Sequence, residues 1–344
     1  MNILPKRPLI SVSDQWSIPQ VRAALAAALD GSGPALAFSP TALTEVNSKV
    51  AIVLATTGST GKPKEIQLSA DALIKSAELS NAFLGATAGD TWSLHLPLTH
   101  IAGINVLLRS LVLGTEIASS QATFTAIVPT QLHRALNGDG ALLKELQNCK
   151  AVLVGGAASS PALLEEARKN SINAVTTYGS TETSGGCIYS NQPLPEVEVR
   201  ISALGLLEIS SPTLAEGVAQ NGWYTTADLA EIRDGKVFIQ GRSDDVIISG
   251  GENISLSQVE SVLSSISDQI IAIGVPSAEW GQELVLLTTE KLSLERIKTA
   301  LVSELGKFAS PKSIVEIDAI PLKGIGKPDR ARALELYLAM NKGR

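Results

Sequence analysis

Ala51-Ile52-Val53-Leu54-Ala55 runs directly into Thr56-Thr57-Gly58-Ser59-Thr60-Gly61-Lys62-Pro63-Lys64. Five consecutive apolar residues have the pattern of a fully buried strand, so the loop is expected to leave a central strand, where ligands sit in open α/β sheets. The two glycines let backbone N–H groups converge on an anion, the four hydroxyls add donors, and Lys62 and Lys64 add charge; together they describe a polyphosphate cradle. The loop is not G-x-x-x-x-G-K-[ST], because no glycine precedes Gly61 at the required spacing and Pro63 follows Lys62. The plain alternative is a surface loop rich in Gly, Ser and Thr.

Around this stretch the chain alternates. Ser17-Ile18-Pro19-Gln20 offers a capping box for a first helix that stops at Gly31. The buried strand and its loop come next, then a helical pattern from Ala70 to about Leu84. Strand-like Thr91 to Leu96, an apolar helix from Gly103 to Leu113, a strand near Phe124 to Val128 and a helix starting at Pro129 follow. Ala151 to Val154 leads into Gly155-Gly156-Ala157, Ser160-Pro161 starts another helix, and Ala174 to Thr177 reads as a strand. The expected class is α/β, a doubly wound, mostly parallel sheet. Past Gly186, short alternating strands (Glu198 to Ile201, Leu206 to Ile209, Lys236 to Ile239) indicate an antiparallel β section. From Ser255 a small α+β domain is expected, with helices at 255–266 and 294–305 and strands at 270–275, 283–288 and 314–317. The boundary is placed at Arg242-Ser243-Asp244, giving domains of residues 1–243 and 244–344.

Bulk properties restrict the partners. The 344 residues carry a formal charge of -6 and a pI near 5.3, which argues against a nucleic-acid or anionic-membrane binder and for local recognition of a small molecule. Cys149 and Cys187 make neither a disulfide framework nor a metal cluster, and His95, His100 and His133 lack zinc-ligand spacing. A reducing cytoplasm fits. The N-terminus lacks the apolar core of a signal peptide, and no apolar run approaches the ~20 residues that span a bilayer.

Three further constellations carry chemistry. Tyr178-Gly179-Ser180-Thr181-Glu182 follows a buried strand and is expected beside the phosphate loop on the same sheet. Tyr178 can lay its ring on a purine, Thr181 can bond a phosphate, and Glu182 can hold Mg²⁺, which takes one or two protein carboxylates plus phosphate oxygens. A packed aromatic and an exposed strand-end acid are the bland readings. Trp223-Tyr224-Thr225-Thr226-Ala227-Asp228 sets one carboxylate after an aromatic strand, and Gly241-Arg242-Ser243-Asp244-Asp245 sets an arginine before two acids. Asp228 can accept ribose hydroxyls while Arg242 donates to the same sugar; otherwise the two are a surface ion pair worth little. Pro321 to Arg330 puts Lys327 on a glycine-bracketed loop, either as a mobile cation or as an ordinary solvated lysine.

In order and spacing these motifs resemble the acyl-adenylate-forming superfamily of acyl-CoA ligases, peptide-synthetase adenylation domains and luciferases. The markers are Thr56 to Lys64, Leu98-Thr99-His100-Ile101-Ala102-Gly103, Tyr178 to Glu182, Thr226-Ala227-Asp228, Gly241 to Ile254 and Gly326-Lys327, so the resemblance covers Val50 to Arg330. It implies a large N-terminal domain and a small, mobile C-terminal one that turns about Asp244. The loop (Thr56, Thr57, Gly58, Ser59, Thr60, Gly61, Lys64) would grip ATP phosphates, Gly155, Gly156, Ala157, Tyr178 and Gly179 would line the adenine site, and Asp228 and Arg242 would hold ribose. Glu182 would bind Mg²⁺ beside Thr181, and Lys327 would complete the adenylation site. The family usually has Gly where Glu65 and Ala227 stand, positions peripheral to the chemistry.

The early position of the phosphate loop, with His100 to Leu113 and Tyr178 to Gly186, resembles the compact o-succinylbenzoate–CoA ligases of menaquinone (vitamin K2) synthesis. Two half-reactions are then implied: a carboxylate attacks the α-phosphate of MgATP to give acyl-AMP and pyrophosphate, and the coenzyme A thiol displaces AMP. The partners would be a small carboxylic acid, ATP and CoA, with no nucleic acid and no membrane insertion; a homodimer is left open. Other acyl- or aryl-CoA ligases, a luciferase-like monooxygenase and a non-catalytic nucleotide-binding scaffold are the competing readings. The scaffold predicts erosion of Lys327, Glu182 or Arg242, and all three are present.

The substrate expectation rests on Arg109. It is a single cation in a helix apolar nearly all round, and a buried guanidinium needs an anion. The anion is either a structural carboxylate or the substrate; snorkelling to the surface is the other way out. In the resembling ligases an arginine at this place meets the aromatic carboxylate, with His100 nearby.

Overall fold

The computed structural model describes residues 5–57, 63–264, 266–267, 269–323 and 327–341. Its first part holds two layered sheets rather than one. Strands β1 (Lys6–Ser11), β2 (Ala35–Ala37), β3 (Glu45–Asn47), β4 (Val50–Thr57) and β5 (Pro63–Ser69) form the first, ordered β3-β1-β2-β4-β5, with α1 (Ile18–Asp30) and α2 (Ala70–Phe83) in the same stretch of chain. Only β1, β2 and β4 run parallel; β3 and β5 are antiparallel edges. The helix starts obey their signals: Ser17 N donates to Gln20 Oε1 at 2.8 Å, and Gly31 closes α1 at φ 80°.

The second sheet, β11-β10-β9-β8-β7-β6, is built from β6 (Trp92–Leu94), β7 (Phe124–Ile127), β8 (Ala151–Val154), β9 (Ala174–Ser180), β10 (Gly185–Tyr189) and β11 (Gln192–Pro193). Its β6 to β9 are parallel, and β10 folds back antiparallel on β9. The connecting helices are α3 (Ile101–Val112), α4 (Pro129–Leu136), α5 (Gly140–Asn148) and α6 (Pro161–Lys169). Helix α3 approaches so closely that a Cβ on Gly103 would lie 2.3 Å from the Pro97 carbonyl oxygen, which explains the glycine.

The antiparallel section is a meander of β12 (Glu198–Ile201), β13 (Leu206–Ser210), β14 (Tyr224–Arg233) and β15 (Lys236–Arg242). After the 3₁₀ turn Ser243–Asp245 the chain forms β16 (Val246–Ser249), β17 (Glu252–Ser255), α7 (Leu256–Leu263), β18 (Ile270–Ser277), β19 (Gly281–Thr288), α8 (Leu294–Leu305), β20 (Ser313–Glu316), the pair β21 (Leu322–Lys323) and β22 (Lys327–Pro328), and α9 (Arg330–Asn341). Hydrophobic clusters up to Val237 contain only residues of the first part, while those built on Ile247, Val259, Ile271 and Leu287 contain only residues of the last part.

The α/β class holds, and three finer expectations change. The single parallel sheet is two sheets, the first with antiparallel strands at both edges and the second with them at one edge only. The Thr56–Lys64 loop joins two antiparallel strands instead of feeding a helix, because Ile66 and Leu68 alternate inward on β5 while Glu65 and Gln67 lie on its other face. Tyr178 to Glu182 therefore lies on a different sheet from that loop. Both cysteines are free and buried, and burial pushes each thiol up to about 12. No helix among the described residues is long and apolar enough to cross a membrane.

Candidate active site

Two loops from separate sheets are tied together by a relay of hydrogen bonds. At the tip of the first hairpin Thr56 pairs with Lys64, and Thr56 Oγ1 donates to Lys64 O at 3.3 Å. Lys64 is exposed. Gly58, Ser59, Thr60 and Gly61, and the side chain of Thr57, lie outside the described residues. On the other sheet, Tyr178, Gly179 and Ser180 end β9, and Glu182 sits on the 3₁₀ turn Thr181–Thr183 instead of at an exposed strand end. Ser180 N donates to Thr183 Oγ1 at 2.9 Å, and Thr183 Oγ1 donates to Gly185 O at 2.6 Å. The carbonyl of Ser184 accepts from Ser76 Oγ and Asn105 Nδ2, both at 2.9 Å, anchoring the turn to α2 and α3. Ala215 N donates to Glu182 O at 2.8 Å, and the neighbouring Glu216 N donates to Gln67 O at 2.9 Å on β5. The acidic turn is thus held against the strand that carries Lys64.

Glycines let the backbones meet here. A Cβ on Gly179 would stand 2.0 Å from Gly185 O, and one on Gly155 would stand 2.2 Å from Thr177 Oγ1. Gly155 opens the stretch Gly155-Gly156-Ala157, with Gly156 at φ 85°, so this stretch lies alongside the strand that ends in Tyr178. Gly179→Ala is expected to destabilise the protein by about 1–3 kcal/mol, because the antiparallel β9–β10 pair must shift to admit a methyl group. Chemical denaturation would check this, and an unchanged midpoint would contradict it.

The nucleotide-binding candidates converge on Asp228. It lies inside the ten-residue strand β14, not beyond its end, and pairs in register with Arg242 on β15. Tyr178 OH donates to Asp228 Oδ2 at 2.6 Å, and Arg242 lies 3.6 Å from Asp228 Oδ1. The Asp228 side chain is 18% exposed and that of Arg242 is 45% exposed, so the pair sits at the surface with its carboxylate shielded by Tyr178. Arg242 also forms a two-pronged pair with Asp244, with Nε and one terminal nitrogen each 2.7 Å from a carboxylate oxygen. That pair, followed by the charges of Asp228 and Asp245, holds the guanidinium above its ordinary range against the cost of burial. Burial, reinforced by Asp228, pushes the Tyr178 phenol up.

Tyr224 was not singled out by the motif reading. Its phenol is pushed up to about 12, first by burial and next by the charge of Glu182, with Asp228 adding to it. Tyr224 is therefore within electrostatic reach of both Glu182 and Asp228. The only signal in the sequence was its place in an aromatic strand.

Glu182 is half-buried and makes no ion pair within 4.0 Å among the described residues. No group of three or more His, Cys, Asp or Glu among them could cage a metal alone. A lone carboxylate suits Mg²⁺ that arrives on a nucleotide and keeps phosphate and water oxygens as its other ligands.

Arg109 has a separate set of contacts. Arg109 is 4% exposed, lies 4.9 Å over the Trp92 ring and donates to Tyr189 OH at 3.1 Å, while its Nε has no partner. No carboxylate among the described residues lies within 4.0 Å of it, so neither a structural ion pair nor escape to the surface accounts for it. His100, at the start of α3, shares a 3.0 Å hydrogen bond between its Nδ1 and Thr99 Oγ1. The backbone of Lys327 pairs with Lys323 across the β21–β22 hairpin. Its side chain lies outside what the structure describes.

Comparison with known proteins gives a consistent picture. Residues 6–208 match the model of the AMP-binding enzymes, and residues 258–327 match the AMP-binding enzyme C-terminal domain. A probable 2-succinylbenzoate–CoA ligase of Mycobacterium tuberculosis is 33% identical over 91% of this chain and 94% of its own length. Among solved structures, an arginine-to-lysine variant of E. coli MenE with bound OSB-AMS is 25% identical with a TM-score of 0.74, covering 95% of this chain and 81% of that one. The Bacillus subtilis o-succinylbenzoate coenzyme A synthetase in complex with AMP is also 25% identical, with a TM-score of 0.72 over 84% of this chain and 70% of that one.

Proposed function

We propose that this chain, which belongs to the AMP-binding enzyme family, ligates o-succinylbenzoate to coenzyme A in the cytoplasmic synthesis of menaquinone. Family membership makes it an AMP-forming acid–thiol ligase that uses ATP, Mg²⁺ and CoA. The finer reading rests on Arg109, a buried guanidinium with no carboxylate partner among the described residues, in a chain whose relatives are named for a dicarboxylic substrate. A fatty-acid or simple aryl ligase has no use for that charge.

In this reading the substrate carboxylate attacks the α-phosphorus of ATP, a P–O bond to pyrophosphate breaks, and acyl-AMP forms. The CoA thiol then adds to the acyl carbon, loses its proton, and expels AMP. Neither step needs a protein nucleophile, so this chain acts by placement and charge. Asp228 and Arg242 take the ribose, Tyr178 holds Asp228 in place, and Gly155 to Ala157 and Gly179 line the base's site. Thr181, Thr56 to Lys64 and Lys327 would contact the phosphates. Glu182 would hold the Mg²⁺ that arrives with ATP, and the ion would supply neutralising charge. ATP–pyrophosphate exchange over a panel of carboxylic acids tests the reading: o-succinylbenzoate should give the highest rate, and a preference for benzoate or a fatty acid would overturn the substrate assignment.

The two half-reactions need different surroundings, and Asp244, the boundary between residues 1–243 and 244–344, is assigned as the hinge. Proline fixes φ near -65°, so Asp244→Pro should trap one arrangement and abolish one half-reaction while sparing the other. Asp244→Ala, which also loses the bond to Arg242, should retain both. Wild-type rates in both half-reactions for Asp244→Pro would place the hinge elsewhere.

A further inference from the structure

Arg330 opens α9 three residues after Lys327 and reaches back across the last part of the chain. Its two terminal nitrogens donate to Glu260 Oε1 and Oε2 at 2.5 and 3.0 Å. Its Nε lies 3.4 Å from Asp245 Oδ2, an ion pair without a hydrogen bond, and the hydrogen-bonded connection runs through Ser257 Oγ, at 3.4 Å from Arg330 and 3.5 Å from Asp245. Glu260 is fixed in turn by Ala272 N, 2.8 Å from Oε1. Arg330 and Glu260 side chains are only 16% and 19% exposed, so each charge depends on the other. Asp245 closes the turn that contains Asp244. Beside this link lies a cavity of about 230 Å³ lined by Asp244, Asp245, Ile247, Ile273, Arg330 and Leu334, so polar contact and not close apolar packing joins the turn to α9 here.

The path from Arg330 to Lys327 is short and stiff. Asp329 N donates to Pro321 O at 2.9 Å, closing the base of the β21–β22 hairpin, and Asp329 Oδ1 accepts from Arg332 N at 3.2 Å, capping α9. Pro328 fixes one of the two intervening residues.

We propose that Arg330 is a positioning residue that locks the Lys327 hairpin to Asp245, so that rotation at Asp244 carries Lys327 with it. The inference rests on the ligase reading for its catalytic consequence and on geometry alone for the mechanical link. Without Arg330, Lys327 would still be present but poorly delivered to the phosphates, and a misplacement of about 1 Å can cost about 100-fold in rate.

The test uses the full chain. Arg330→Met should slow ATP–pyrophosphate exchange by about 100-fold, with the KM for the acid unchanged and thioester formation from pre-formed acyl-AMP little altered. Arg330→Lys should restore part of the exchange. In hydrogen exchange by mass spectrometry, amides of 321–329 should exchange faster in Arg330→Met while those of Ile270–Ser277 stay protected, because α9 still packs through Ala333, Leu334 and Tyr337. Equal loss in both half-reactions, or unchanged protection of the hairpin, would overturn the proposal. Should Arg330→Met lose protection throughout, Asp245→Asn, which leaves the Glu260 pair intact, must show the same selective effects or the proposal fails. A wild type that exchanges pyrophosphate with no acid would sink the ligase reading, and the hairpin's protection would still decide whether Arg330 is the link.

Discussion

Arg109→Ala raises the KM for o-succinylbenzoate by about 30-fold or more, the equivalent of at least ~2 kcal/mol for a lost desolvated carboxylate partner, and leaves the KM for ATP nearly unchanged. The asymmetry follows from position. Arg109 touches Trp92 and Tyr189, whereas the nucleotide candidates gather around Asp228 and the Glu182 turn. Arg109→Ala should fold, because Tyr189 OH keeps its 2.9 Å bond with Ser80 Oγ and the Asn81 amide bonds the backbone of residue 109, not its side chain. Arg109→Lys should recover little of the affinity, since an ammonium cannot reproduce a two-pronged bond to a carboxylate. Steady-state kinetics on both variants check this. If the two KM values rise together, or neither moves, the guanidinium is a packing element and the anion is bound elsewhere.

Lys327→Ala lowers ATP–pyrophosphate exchange by about 10²–10³-fold, the usual cost of removing one donor aimed at developing charge. It should leave the transfer of pre-formed acyl-AMP to CoA much less affected. Negative charge spreads over the phosphate oxygens only while pyrophosphate departs, so a cation placed there acts on the first half-reaction alone. Single-turnover measurements of each step separate the two. Equal losses would recast Lys327 as structural and would also remove the reason for Arg330 to hold its hairpin.

Much of the local structure was legible from the residues. Ala151 to Val154 is a strand over those four residues, Ser160-Pro161 opens α6, and the apolar segment around Arg109 is a buried helix. In each case the decisive physics is local: a capping hydroxyl, a proline in the first turn, or an apolar run that must leave water. The β5 strand escaped because only Ile66 and Leu68 mark its alternation and the polar loop before it resembled a strand-to-helix turn. Helix α9 escaped because its apolar residues keep no single face, and Ala333 alone is fully buried.

By itself, then, the sequence determined strands such as β4, β7 and β8 and helices such as α2, α3 and α6, the glycines and hydroxyls of the loops, and the set of charged residues available to a nucleotide, since these follow from local periodicity and chemical type. The tertiary structure alone decided that the phosphate hairpin and the Glu182 turn rise from different sheets and meet through Ala215, Glu216 and Gln67. It decided that Tyr178 bonds Asp228, that Arg109 lacks a carboxylate partner among the described residues, and that Arg330 reaches Asp245. The Tyr178–Asp228 and Arg330–Asp245 pairings span 50 residues or more of chain, and no local pattern encodes which distant partner desolvation and packing will bring into contact.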